Sequence, residues 1–160
     1  MLVADTGAVV ALLDRDDAHH AAMRAIFAAN LDAWVLPWAI LPEVDYLVAT
    51  RLGERVQDAW LDDLARGAFA VEWGKADDLP LAHARIRRYH SLDLGLVDAV
   101  VMVIAERLGA DIATLDLRHF GAVRLKHAPR LLPRDAAGSR SPVPGPRSSV
   151  AGPVRRPRRR

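Results

Sequence analysis

The chain has no cysteine among its 160 residues. Disulfides and thiolate metal sites are thereby excluded, and the composition suits a reducing compartment, so a cytoplasmic protein is expected. Long hydrophobic runs are missing too. The longest, Ala99 to Ala105, has seven residues, against the roughly 20 that span a bilayer, and no membrane association is expected. No cationic segment precedes an apolar stretch at the N-terminus, so no secretory leader is expected. Neither GxGxxG nor GxxxxGK with a following Ser or Thr occurs, which argues against the nucleotide-binding α/β folds. A GxSxG elbow is absent, so serine-hydrolase chemistry has little support. His19 and His20 are adjacent and cannot share a helix face, and no HxxxH zinc pair exists.

What is present divides in two by charge. From Arg134 to Arg160 there are eight arginines and one acid, Asp135, a net +7, while residues 1–133 carry a net −5. The overall +2 therefore conceals an acidic domain and a basic tail. The tail is rich in Pro, Arg and Ser, has little apolar surface to bury, and is expected to be disordered. Its terminal arginines would suit non-specific phosphate contact; an extension with incidental charge is the competing reading. Residues 1–133 are long enough to bury one substantial core.

Within 1–133, strand-like and helix-like segments alternate. Strands are expected at Leu2–Ala4, Trp34–Leu36, Ala68–Glu72 and Asp111–Leu115, with a fifth at Ala122–Leu125. Helices are expected at Ala8–Leu13, His19–Ala29, Leu41–Arg51, Glu54–Arg66, Asp77–His90 and Leu96–Leu108. Asp16 or Asp17 is the expected N-cap of the second helix, and Gly109 the C-cap of the last. This order predicts an α/β/α sandwich around a mainly parallel sheet.

Four carboxylates stand at segment edges. Asp5 follows the first strand, Asp116 follows Ile112-Ala113-Thr114-Leu115, and Glu43 and Asp98 lie in first turns of helices. Ligands of open parallel sheets bind beyond the carboxyl ends of the strands, at a switch in strand order, so all four acids can face one cleft. Converging acids repel one another unless a cation neutralises them. Oxygen ligands of this kind suit Mg²⁺ or Mn²⁺, and with it chemistry on phosphates. Each acid also has a plainer role open to it: Asp5 and Asp116 as caps or turn formers, Asp98 as a helix-dipole partner. Glu43 competes with Asp45. Two helix positions differ by about 200° of rotation, so only one can face the cleft.

Asp5-Thr6-Gly7, Pro42-Glu43-Val44-Asp45-Tyr46-Leu47, Gly95-Leu96-Val97-Asp98-Ala99 and Thr114-Leu115-Asp116-Leu117-Arg118-His119-Phe120 resemble the four signature blocks of PIN-domain proteins. The closest resemblance is to VapC toxins of bacterial toxin–antitoxin pairs, and it runs from residue 1 to about 133. It implies a Mg²⁺- or Mn²⁺-dependent endoribonuclease, a homodimer and a cognate VapB-type antitoxin. It also implies that Asp5, Glu43, Asp98 and Asp116 form the catalytic set, with Asp5, Asp98 and Asp116 on the metal. Glu43 would act through a metal-bound water or as general base, and the implied substrate is structured transfer or ribosomal RNA. Thr6 and Thr114 would be supporting hydroxyls.

The pattern departs from the family in places. Ser91 stands where many relatives carry an acid, and Asp93 appears instead, either as a displaced auxiliary acid or as the N-cap of the following helix. Gly7 replaces a common serine and permits close backbone approach. His119 is open between substrate contact and a structural role. Arg118 and Arg124 are open between phosphate contact and surface pairing. Trp34, Trp38, Tyr46, Leu47, Trp60 and Trp73 exceed what a small core needs, and the helices around Glu43 and Val56–Leu64 are candidate walls of an antitoxin groove. Two alternatives from other classes stand beside the ribonuclease reading: a catalytically silent PIN-like interaction module, and a DNA-directed nuclease.

Overall fold

A computed structural model describes residues 1–136. The expected basic tail lies, from residue 137 onward, outside the described residues. Strand β1 (Leu2–Ala4) is followed by α1 (Thr6–Leu13) and α2 (His20–Ala29), and β2 (Trp34–Pro37) by α3 (Leu41–Arg51) and α4 (Glu54–Ala65). Then come β3 (Ala70–Glu72), α5 (Asp78–Arg88), α6 (Leu96–Leu108), β4 (Asp111–Ala113), the single-turn α7 (Leu117–Phe120) and β5 (Leu131–Leu132). The five strands form one sheet in the order β3-β2-β1-β4-β5, and every pairing is parallel. The sandwich expected from the sequence is therefore present.

Strand order reverses at β1, whose neighbours are β2 on one side and β4 on the other. A parallel sheet leaves a crevice at such a switch, beyond its carboxyl edge. Asp5 and Asp116 are the residues that β1 and β4 deliver to it.

The core explains why short strands suffice. Leu2, Val3, Ala4, Leu36, Ile112 and Ala113 are almost fully buried, as expected where helices cover a parallel sheet on both faces. Helix α6 carries the apolar run Ala99–Ala105, buried on all sides between the sheet and α5. It ends at Gly109, whose φ of 60° gives the left-handed cap that turns the Ala110 N–H back to the Ala105 carbonyl at 3.0 Å. Phe27, Trp34, Phe69 and Trp60 form a chain of tilted or edge-on ring contacts with centroids 5.3–5.6 Å apart. Trp34 and Trp60 are thus core residues, whereas Trp73 and Tyr46 are exposed.

A buried ion pair joins α5 to α6. Arg107 Nε and Nη2 donate to both oxygens of Asp78 at 3.1 and 2.9 Å, and Nη2 also reaches Glu72 at 3.0 Å. Only 3% of the Asp78 side chain is exposed. Burial, the largest single effect, pushes the Asp78 pKa up, but hydrogen bonds to Arg107 and to the Lys75 N–H together hold it below the ordinary carboxylate value.

Three local expectations are corrected. The fifth strand is Leu131–Leu132, not Ala122–Leu125. The latter segment is irregular; Val123 packs inward and Arg124 N donates to the Tyr89 hydroxyl rather than to a strand. The N-cap of α2 is His19, with Asp17 accepting from the His19 N–H at 2.6 Å just before the helix. Asp93 does not cap α6, since Gly95 holds that position; Asp93 itself adopts a left-handed φ of 53°. No described helix is long and apolar enough to cross a membrane.

Candidate active site

Asp5 ends β1 and caps α1: its Oδ1 accepts the Ala8 N–H at 2.8 Å. Its other oxygen accepts a short hydrogen bond from the Thr114 hydroxyl. That hydroxyl in turn accepts the Asp116 N–H at 3.0 Å, so one threonine ties the two acids together. Asp116 caps α7 with Oδ1, taking the N–H groups of Arg118 and His119 at 2.9 and 3.1 Å. The plainer capping roles of both acids are therefore real. They leave the second oxygen of each carboxylate fixed in direction, which is what a ligand set needs.

Asp98 enters from the first turn of α6 and Glu43 from the first turn of α3. Thr6 Oγ1 donates to Glu43 Oε2 at 2.5 Å. Asp45 is turned away and accepts from Gln57 on α4 at 2.9 Å. Helix rotation thus separates the two acids: Glu43 meets Thr6 beside Asp5, and Asp45 serves the α3–α4 contact.

Burial raises the pKa of Asp5 from 3.8 to about 6, and the charges of Asp98 and Asp116 add to the effect; the Thr114 and Ala8 hydrogen bonds oppose it. Asp98 is raised in the same way, by burial first and then by Asp116 and Glu43, with His119 opposing. Asp5 thus feels the charges of Asp98 and Asp116, and Asp98 those of Asp116 and Glu43. Such mutual repulsion marks a site poised for a cation.

His119 is the residue that sequence reasoning left open. Its Nδ1 lies 2.9 Å from an oxygen of Asp98 and 2.9 Å from an oxygen of Asp116. Its Nε2 lies 3.0 Å from the Leu92 carbonyl, a pure acceptor, so the network assigns a proton to Nε2. Nδ1 therefore faces the acids either as a second donor or, without its proton, as a ligand. One atom each from Asp98, Asp116 and His119 lie within 4.8 Å of one another. Two carboxylate oxygens and an imidazole nitrogen are a donor set that a divalent cation accepts. The sequence signal was the i, i+3 spacing from Asp116, which places both on one face of α7.

The other expected residues are placed as follows. Asp93 is highly exposed and pairs loosely with Arg118, at 3.8 Å. At Gly7 an added Cβ would meet only Asp5 Oδ1, at an ordinary 3.7 Å, so crowding does not demand glycine there.

Comparison with known proteins identifies the family and the fold. The PIN-domain family matches residues 2–126. Ribonuclease VapC26 of Mycobacterium tuberculosis is 36% identical over 124 residues, covering 77% of this chain and 92% of the relative. The fold is similar to that of M. tuberculosis VapC20, described as a sarcin–ricin loop cleaving toxin. There the TM-score is 0.67 and the identity 22%, over 72% of this chain and 90% of that one. It is also similar to a chain of DNA-bound VapBC from Salmonella typhimurium, with a TM-score of 0.62 and 18% identity over 81% and 95% of the two chains. At those identities the two structures speak for the fold alone.

Proposed function

The chain belongs to the PIN-domain family, and from that premise we propose that it is a divalent-metal-dependent endoribonuclease, the toxin of a VapBC-type pair. The observation that carries the reading is the coupling of four acids from β1, α3, α6 and the β4–α7 turn at the switch point of the sheet. The likeness to a relative named a ribonuclease supports RNA as substrate; that the RNA is structured transfer or ribosomal RNA is part of the proposal.

In this reading Asp98, Asp116 and His119 hold the cation, Mg²⁺ or Mn²⁺, with Asp5 closing the set. When bound, the cation supplies activation of water and neutralisation of charge on the phosphate. Thr114 fixes Asp5 and the Asp116 backbone together, so the two strands present their acids as a unit. Glu43, exposed and aligned by Thr6, takes the proton from the attacking water as general base. Asp93, with Arg118, lies outside the metal set and serves as an auxiliary charge at its rim. The solvent-facing Tyr46 on α3 and Leu61 on α4 supply apolar surface to a VapB-type antitoxin helix, and the active species is a homodimer.

The test is incubation of the purified chain with total RNA and, separately, with DNA of matched sequence, followed by mapping of new ends. New RNA ends that require Mg²⁺ or Mn²⁺, disappear with EDTA and are absent from the D116N protein are the expected result. Cleavage indifferent to EDTA or to D116N overturns the metal reading. Cleavage of DNA alone overturns the ribonuclease reading.

A further inference from the structure

A second cleft of about 310 Å³ is walled by α5, α6 and the segment after α7. Its charged lining is Arg85, Arg88, Arg124 and Lys126 against the single acid Glu106, a local excess of three positive charges. That runs against the net −5 of residues 1–133. Arg85 and Glu106 form the floor, 2.6 Å apart and little exposed. The other Glu106 oxygen is taken by the Lys126 N–H. Arg85 Nη1 is buried with no hydrogen-bond partner, so the floor cation is only partly compensated in a low-dielectric setting. Arg88, Arg124 and Lys126 are exposed, and among the described residues none forms an ion pair. Arg88 lies over the Tyr89 ring at 5.6 Å, an arrangement that also offers a stacking face.

The cleft is tethered to the acid site. The segment that supplies Asp116 and His119 continues directly to Arg124 and Lys126. It is fastened twice to the α5–α6 connection, by His119 to the Leu92 carbonyl and by Arg124 N to the Tyr89 hydroxyl. Arg124 and Lys126 stand five and seven residues beyond His119 on that same segment. We propose that this cleft binds the phosphodiester backbone of the RNA substrate beyond the scissile bond. The proposal rests on the endoribonuclease reading. Contacts of this kind set affinity and register without reading sequence.

The experiment compares the full chain with R88Q/R124Q and with R15Q/R55Q. The latter makes the same charge change in a different cleft, lined by α1, α3 and α4 residues. Binding of fluorescein-labelled total transfer RNA is measured with Ca²⁺ across a KCl series, cleavage is measured with Mg²⁺, and thermal melting confirms folding. R88Q/R124Q is expected to bind about tenfold more weakly near 0.1 M salt, with a log–log salt slope smaller by about 1.5 to 2. The loss should sit in KM rather than kcat, while R15Q/R55Q moves affinity less than twofold. Unchanged affinity and slope in R88Q/R124Q, with the parent still cutting RNA, overturns this proposal and leaves the ribonuclease reading standing. An equal loss in R15Q/R55Q overturns it in favour of undirected charge attraction. RNA binding that stays intact while R88Q/R124Q loses an acidic protein partner assigns the cleft to that partner and overturns it as well. A parent chain that neither binds nor cuts RNA removes both readings together.

Discussion

Replacing Asp5 by asparagine should abolish the proposed cleavage and yet, without metal, make the protein more stable at neutral pH. Asp5 is 6% exposed, and its pKa rises from 3.8 to about 6 on folding. A carboxylate with a raised folded pKa holds its proton more tightly in the native state. Its ionisation penalty is absent below pH 3.8, grows as the pH rises, and is complete above about 6. At 1.36 kcal/mol per pH unit that interval amounts to about 3 kcal/mol. The amide in the D5N protein carries no such penalty and keeps an oxygen for the Ala8 N–H. It loses the hydrogen bond donated by Thr114, worth roughly 1 kcal/mol.

The D5N protein should therefore be about 1 kcal/mol less stable than its parent near pH 4 and about 2 kcal/mol more stable near pH 7.5. The assay is urea unfolding of both proteins in EDTA across that range. Taking the difference cancels the titrating groups remote from Asp5. Addition of Mg²⁺ at pH 7.5 should close the gap, because a cation that binds only the native parent stabilises it by mass action. A D5N protein less stable than the parent at pH 7.5 in EDTA, or a difference flat with pH, would refute the argument that burial, reinforced by the neighbouring acids, penalises the Asp5 charge.

Other consequences follow from the same structure. R107L leaves Asp78 buried without its cation and should cost about 3–5 kcal/mol, seen as a fall in Tm of about 10 °C or more. The D78L/R107L double variant should lose less than the two single changes added together, and strict additivity would argue against a coupled pair. H119Q should weaken Mn²⁺ binding by about tenfold to a hundredfold in calorimetry while leaving the fold intact; unchanged affinity would remove His119 from the ligand set. A chain ending at 133 lacks Asp135, whose carboxylate accepts the Leu131 N–H at 2.8 Å. It should be less stable than one ending at 136 by roughly 1 kcal/mol, and equal urea midpoints would show that β5 needs no such support.

Much of the fold is legible in the residues, and what is not has physical reasons. The alternation of apolar segments is enough to place the first four strands, because burial on both faces makes parallel strands read as continuous apolar runs. It fails at β5, where Leu131 and Leu132 sit between Pro129 and Pro133 with too few residues for any period to show. Ala122–Leu125 is the better strand by pattern, yet the N–H of its one buried residue, Val123, is spent on the His119 carbonyl at 3.2 Å. Propensity marks Asp93 as a cap because it identifies capping residues but not the left-handed turn two positions before the helix N-cap. The four acids are readable as edge residues. Their coupling through Thr114, and the entry of His119 between Asp98 and Asp116, depend on side-chain directions that spacing does not fix.

The hydrogen bond from Thr114 to Asp5 joins residues 109 apart in sequence. Because β1 is central and β4 is its neighbour, β1 must wait for more than a hundred further residues before the site can close. At roughly 5–20 residues per second, that wait is on the order of ten seconds. Until then Asp5 has no Thr114, no Asp116 and no buried surroundings to shift its proton. Assembly of the acid cluster is thereby tied to assembly of the sheet itself: no nascent chain that lacks β4 can hold Asp5 beside Asp116.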